Sequence, residues 1–127
     1  MASSLKPNIV AFKADAAITK GMAVKFGTDD QHVAKSAATT NYHMGIAQSA
    51  PTAAEDVVEV AVAGGGAKGL CQTTVTRGHL LTAHTDGKLK PIAAAGDRLV
   101  AIAMESGVAG DLIEVIVIAG QAYQADV

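Results

Sequence analysis

The sequence predicts a mainly β fold, a small β-barrel or sandwich built from two duplicated half-units with an extended N-terminal arm. Two observations predict this fold. The chain repeats itself at a nearly constant offset, and its apolar residues alternate in short runs bounded by turn residues. At 127 residues, 50% of them hydrophobic, the chain is long enough for a single domain with its own core.

The internal repeat is clearest in two pairs of segments. Ile18–Gly21 (ITKG) returns as Val75–Gly78 (VTRG) at an offset of 57 residues, and Asp56–Val62 (DVVEVAV) returns as Asp111–Val117 (DLIEVIV) at an offset of 55. The polar groups of one copy can therefore be compared with those of the other. Glycines and apolar residues recur, whereas histidines, serines and the cysteine do not.

These patterns predict the domain organisation. Residues 1–15 form an N-terminal arm and first strand, and residues 16–127 form one β domain, with repeat one at 18–64 and repeat two at 75–120. The first eight residues show no periodicity and include Pro7, which favours an extended arm, and an apolar run then begins a first strand.

The last strand of each repeat has the strongest strand pattern. β-Branched residues at every second position place one apolar face toward the core: Val58, Val60 and Val62 in repeat one, and Ile113, Val115 and Val117 in repeat two. The opposite face is larger and more apolar in repeat two. Such a face is covered either by the chain's own loops or by another subunit, and the second alternative predicts a subunit interface made of Leu112, Glu114, Ile116 and Ile118.

The sequence predicts no catalytic, cofactor-binding or metal-binding residues. The segment 64–69 (GGGAKG) matches a dinucleotide fingerprint formally. However, β-branched residues follow it in place of a helix, so we interpret it as a flexible connector between the repeats. The four histidines lack metal-ligand spacing, and the repeated acids Asp56/Asp111 and Glu59/Glu114 lie in symmetric, like environments that do not suit acid–base catalysis.

Charge and cysteine content exclude several classes of partner. A net charge of −2 argues against nucleic-acid binding, and no apolar stretch is long enough for a membrane span or a signal peptide. A single cysteine, Cys71, excludes an internal disulfide framework. We therefore expect a protein made in the cytoplasm that binds neither nucleic acid nor membrane.

The order of these segments resembles the capsid decoration (cement) proteins of tailed bacteriophages. The resemblance covers roughly residues 9–120 and rests on AAITKGMAVKFG at 16–27, GIA at 45–47, VTRG at 75–78, LLTA at 80–83, DGK at 86–88, IAME at 102–105 and AGD at 109–111. The run Tyr42-His43-Met44 departs from the plain aliphatic run usual in the family.

Membership in that family implies a non-enzymatic structural protein of the virion. It would bind the major capsid protein on the outer capsid surface, stabilise the expanded head and associate with itself, as a trimer. We expect the capsid contact in the N-terminal arm, at Ser4, Leu5, Lys6, Pro7, Asn8 and Ile9. A surface carbohydrate-binding or adhesion module is the alternative, against which the scarcity of aromatic residues counts. A small hydrolase is a third hypothesis, for which the sequence offers no nucleophile–base pair.

Overall fold

The computed structural model of the chain describes residues 6–118, which form ten β-strands and no helix. The first half of the molecule contains β1 (Asn8–Ala14), β2 (Ala23–Phe26), β3 (His32–Lys35), β4 (His43–Ala47) and β5 (Val57–Val62). The second half contains β6 (Gly66–Leu70), β7 (Leu80–Ala83), β8 (Leu89–Pro91), β9 (Ala101–Ala103) and β10 (Leu112–Val117). The predicted mainly β fold is confirmed.

The first half is a closed barrel with strand order β1-β3-β2-β4-β5. Strand β1 pairs antiparallel with β5 from Asn8 to Lys13 and parallel with β3 through two residue pairs, Lys13 with His32 and Ala14 with Val33. We call this short parallel pairing the seam of the first barrel, because it alone joins β1 to β3 and so closes the sheet.

The second half repeats this topology. Its strands are ordered β6-β10-β9-β7-β8. Read in the opposite direction around the closed barrel, the first half has the order β1-β5-β4-β2-β3, so each strand of the second half takes the place of its counterpart in the first. The seam has a counterpart in one parallel bridge between Cys71 and Leu89, beside which the Gln72 N–H donates to the Leu89 carbonyl at 2.7 Å. The two sheets thus fit a duplicated barrel, in which β1 corresponds to β6.

Two hydrophobic clusters fill the molecule. The faces that alternation assigned to the core point inward. Val58 and Val60 lie in the cluster inside the first barrel and Val62 is partly buried against it, and Ile113, Val115 and Val117 lie in the cluster of the second half. The second cluster also contains three residues of the first half, which form one row across the outer face of its barrel: Ala23, Ile46 and Ala61. The wall of the first barrel therefore completes the core of the second half.

The interpretation of the glycine run as a flexible connector is corrected. Gly64 and Gly65 form a turn, and Gly66 begins β6. A side chain at Gly65 would place its Cβ 2.5 Å from the Lys6 carbonyl oxygen, so the absence of a side chain permits the chain segment before β1 to cross here. The run is an ordered crossing point of the backbone.

Candidate interaction surfaces

The outer face of the second half carries an apolar row that corresponds to the buried row of the first. Leu80 pairs with Ile102 and Ile102 pairs with Ile116, so the three side chains share one face of the sheet. Leu80 is 36% exposed, and Ile102 and Ile116 are half-buried. We call Leu80, Ile102 and Ile116 the second outer row, and Ala23, Ile46 and Ala61 the first outer row.

The two outer rows differ in both size and cover. Every residue of the first outer row is 0% exposed because the second half packs on it. The second outer row presents larger side chains, and no other part of residues 6–118 covers it to the same extent. The sequence prediction named Ile116 alone of this row. Leu80 could have been found by comparison with its counterpart in repeat one, Ala23, whereas Ile102 has an identical counterpart, Ile46.

The other predicted interface residues lie around this row. Leu112 is 44% exposed, and part of its side chain covers Gly21, where an added Cβ would lie 2.7 Å from Leu112 Cδ2. Glu114 forms an ion pair with Lys68, with its Oε1 3.2 Å from Nζ. Ile118 is half-buried beyond the end of β10, and its N–H donates to the Val100 carbonyl. Because side chains alternate along a strand, Leu112, Glu114 and Ile116 share the outer face of β10.

The segment proposed to contact the capsid is partly built into the barrel. Ser4 and Leu5 lie outside the described residues. The Lys6 carbonyl accepts a hydrogen bond from the Gly66 N–H at 3.2 Å, and Asn8 Nδ2 donates to the Ala63 carbonyl at 3.1 Å. Asn8 and Ile9 are strand residues of β1. The β domain, which was predicted to begin at residue 16, therefore already includes β1.

Strand β1 nevertheless presents exposed apolar side chains. Ile9 is 41% exposed on the outer face, which it shares with Val57 of β5, 65% exposed opposite Lys13, whereas Val10, 43% exposed, lies on the other face of the strand. An open depression of about 370 Å³ lies next to Val57, lined by Ala11, Phe12, Lys13, Asp30, Gln31 and Val57. This outer face, which we call the apolar face of β1, and the second outer row are two of the apolar surfaces that the described residues offer to a partner.

A third surface lies where the two halves meet. Tyr42 is 64% exposed, and the Arg98 guanidinium lies 4.2 Å from the centre of its ring. The Arg98 Nε–H also donates to the Thr40 carbonyl at 3.2 Å, which holds the side chain in place. Tyrosine and arginine are the residues most enriched at binding hot spots. The departure of Tyr42-His43-Met44 from the family pattern was the sequence signal for this surface.

The histidine of that run is structural. Ser36 Oγ lies 2.9 Å from His43 Nδ1, and Thr82 Oγ1 lies 3.4 Å from Nε2. Ser36 and His43 are 0% and 2% exposed, so no substrate reaches this serine–histidine pair. Burial lowers the pKa of His43 and favours the neutral imidazole.

Two of the repeated acids, Asp56 and Asp111, support turns. Asp56 Oδ2 accepts hydrogen bonds from the N–H groups of Thr52 and Ala53, and Asp111 Oδ2 accepts one from the Val108 N–H. Both carboxylates thus satisfy backbone donors in the turn before the last strand of their repeat. Asp56 and Asp111 are conserved between the two repeats for a structural reason.

The described residues offer neither a metal-binding cluster nor a membrane-spanning helix. Within residues 6–118, no three side chains of histidine, cysteine, aspartate or glutamate are grouped so that they could hold a metal ion. The same stretch contains no helix of the length and apolar character needed to cross a membrane.

The fold is shared with a protein from a bacteriophage head. The chain superposes on the head fiber gp8.5 N base of bacteriophage phi29 with a TM-score of 0.68 and 14% sequence identity, over 94% of this chain and 100% of that one. No protein-family model matches the sequence. No curated protein matches it either. The likeness to the phi29 protein establishes a common fold.

Proposed function

We propose that the protein is a structural component of a tailed-bacteriophage head that binds the outer surface of the capsid and stabilises the expanded shell. The observation that carries this proposal is the fold, shared over almost the whole chain with a head fiber base. The segment pattern, which resembles the decoration proteins, supports the same conclusion independently of the structural likeness.

The described surface suits attachment by several modest contacts. The apolar face of β1, the second outer row and the Tyr42–Arg98 pair are separate, and each is small. On a symmetric shell, weak contacts made at the same time combine into a large overall affinity. Such a role requires a rigid fold and complementary surfaces, and no catalytic group.

We assign the capsid contact to the N-terminal segment. Lys6 and Pro7 cross the glycine turn, and Ile9 begins the exposed apolar face of β1, so this segment lies at the surface of the molecule. In this proposal, Ser4 and Leu5 extend the contact made by Lys6, Pro7, Asn8 and Ile9. The partner is the major capsid protein.

Self-association is assigned to the second outer row and its neighbours Leu112, Glu114 and Ile118. The first outer row shows, within the same chain, how such a row is buried against another sheet. A trimer would place three second outer rows around one axis. Neither nucleic acid nor membrane is a partner in this proposal.

Co-sedimentation with expanded, undecorated phage heads tests the proposal. The intact chain is expected to saturate a fixed number of sites and to raise the temperature at which the heads break open. Deletion of Met1–Pro7 is expected to keep the β fold and to weaken binding at least about tenfold, or about 1.4 kcal/mol. Lack of binding by the intact chain would contradict a decoration function. Unchanged affinity after the deletion would move the contact onto the barrel.

An adhesion or carbohydrate-binding module is the second candidate. The exposed Tyr42 ring favours it, because aromatic faces stack on sugars, although Arg98 already covers one face of this ring. A glycan array with Tyr42→Ala as control separates the two functions. Glycan binding that is lost in the variant, together with no binding to heads, would favour adhesion.

A further inference from the structure

His32 is held between two carboxylates at the start of β3. Its Nδ1 lies 2.6 Å from Asp29 Oδ1, and its Nε2 lies 2.7 Å from Glu55 Oε2. A neutral imidazole carries one N–H, whereas an ionised carboxylate can only accept hydrogen bonds. Both short contacts are satisfied together only when the ring carries two protons. The two carboxylates lie at opposite edges of the ring, so they do not converge on a common metal position.

This arrangement spans the seam of the first barrel. His32 pairs with Lys13 of β1, Asp29 belongs to the turn between β2 and β3, and Glu55 immediately precedes Asp56 and β5. Strand β1 lies between β3 and β5 in the barrel. The imidazole thus ties together the starts of the two strands that flank β1.

Glu55 has a backbone conformation that glutamate rarely adopts. Its φ of 72° is the one positive value at a non-glycine position within residues 6–118. The corresponding residue in the second half is Gly110, with φ of 90°. The correspondence is exact in the hydrogen bonds: the Glu55 N–H donates to the Ala14 carbonyl at 2.8 Å, and the Gly110 N–H donates to the Cys71 carbonyl at 2.9 Å. The left-handed region favours glycine, so a glutamate here retains backbone strain that its contact with His32 offsets.

The second half keeps the counterpart of Asp29, which is Asp86, and lacks the other two groups. The His32 carbonyl accepts from the Gly27 N–H, and the Lys88 carbonyl accepts from the His84 N–H, so Lys88 takes the place of His32. With Lys88 and Gly110 at these positions, no imidazole joins the starts of β8 and β10 across the seam of the second half. This seam therefore provides an internal control for the seam of the first.

We propose that His32, Asp29 and Glu55 form a protonation-dependent latch, which holds the seam of the first barrel closed while the imidazole is charged and releases the turn at 52–56 when the ring loses a proton. The charged groups that face the latch are the two carboxylates and, from β1, Lys13, whose Nζ lies 3.9 Å from Glu55 Oε1. Lys13 keeps one charge partner for Glu55 after the ring is neutral. Release therefore loosens the seam and leaves the pairing of β1 with β5 in place.

The direction of the pH dependence follows from the two hydrogen bonds. The contact with Asp29, and then that with Glu55, raises the pKa of His32 above its ordinary value of 6.5. A group whose pKa is raised by folding stabilises the fold fully below its unfolded pKa, and this contribution is lost as the pH rises through the folded value. The latch is therefore closed while the ring is protonated and its two carboxylates are ionised, and it opens as the pH rises through the raised pKa of His32.

Amide hydrogen exchange at the two seams tests the latch. The reporters are the Lys13 and Asp15 N–H groups, which donate to the Gln31 and Val33 carbonyls, and the Gln72 N–H serves as reference at the second seam. Between about pH 6 and about pH 9, the protection of Lys13 and Asp15 is expected to fall at least about threefold relative to that of Gln72.

Two variants and one titration make the test decisive. His32→Gln cannot titrate, so its protection ratio is expected to stay constant with pH. His84→Gln, which changes the exposed histidine 3.3 Å from Asp86, is expected to keep the wild-type response. A constant ratio in the wild type, or an unchanged response in His32→Gln, would overturn the proposal. If His32→Gln does not fold, the ring of His32 is titrated by NMR in the wild type, and loss of its proton below about pH 6.5 would overturn the proposal equally.

Discussion

Placing the same charge at two corresponding positions tests the difference between the outer rows. Ala61 and Ile116 correspond in the repeat, yet Ala61 is 0% exposed between the halves and Ile116 is half-buried on an open face. Ala61→Glu buries a carboxylate with no partner, which costs about 3–5 kcal/mol or more. The total stability of a domain is about 5–15 kcal/mol, so a large part of it would be lost.

Ile116→Glu is expected to cost less in the isolated chain. Full burial of an isoleucine side chain stabilises a fold by about 1.5–3 kcal/mol, and Ile116, which is partly exposed, contributes less than that. At about 3–5 °C per kcal/mol for a chain of this size, Ala61→Glu lowers the Tm by more than about 10 °C, and Ile116→Glu lowers it by less. Ile116→Glu should also abolish self-association, because the carboxylate would have to enter the closed contact.

Differential scanning calorimetry and light scattering measure these two effects. If Ile116→Glu destabilises the chain as much as Ala61→Glu, the second outer row is part of the core. If Ile116→Glu changes neither the mass in solution nor the binding to heads, the row is not an interface. If Ala61→Glu is tolerated, the two halves do not pack as described.

Three further predictions concern single sites. Gly45→Ala would place a Cβ against the Ala61 carbonyl oxygen and is expected to disrupt β4–β5 pairing. It should lower the Tm far more than Gly78→Ala, whose Cβ meets nothing and whose cost is the strain of its positive φ, about 1 kcal/mol. Equal effects of the two substitutions would contradict the close approach at Gly45. Burial lowers the pKa of His43, so the contribution of its neutral ring to stability is full above pH 6.5, its ordinary pKa, and is lost as the pH falls. The denaturant midpoint should therefore fall between about pH 7 and about pH 5, and this fall should be smaller in His43→Gln. The same fall in both proteins would contradict a neutral His43. Cys71 is buried, and burial raises the pKa of its thiol. An aromatic disulfide reagent should therefore label Cys71 only as fast as the protein opens. Rapid labelling of the native protein would contradict the buried position of Cys71.

The sequence allowed the strands to be predicted where alternation was strong. β5 and β10 bury the predicted faces, because strict period-two patterns of Val and Ile leave one choice of inward face. The role of β1 was harder to see. Its exposed residues give a weak pattern, and its pairing with both β3 and β5 is a long-range property of the closed barrel.

Other features depended on contacts that sequence spacing does not reveal. Gly65 was interpreted as part of a connector because glycine permits both flexibility and close approach, and only the distance to Lys6 distinguishes them. His32 and Glu55 lie 23 residues apart, with no motif to join them. The capsid contact, the trimer and the assignment of Leu112, Glu114, Ile116 and Ile118 to an interface stay predictions.

The burial of the first outer row in the core of the second half makes the halves unequal partners in folding. The cluster inside the first barrel is built from residues up to Val60, with partial cover from residues up to Leu70. The cluster of the second half is complete only with Ala23, Ile46 and Ala61 in place. During synthesis from the N-terminus, the first barrel can therefore form while the second half is still being made. The outer face of the folded first barrel then provides Ala23, Ile46 and Ala61, against which β6–β10 can pack.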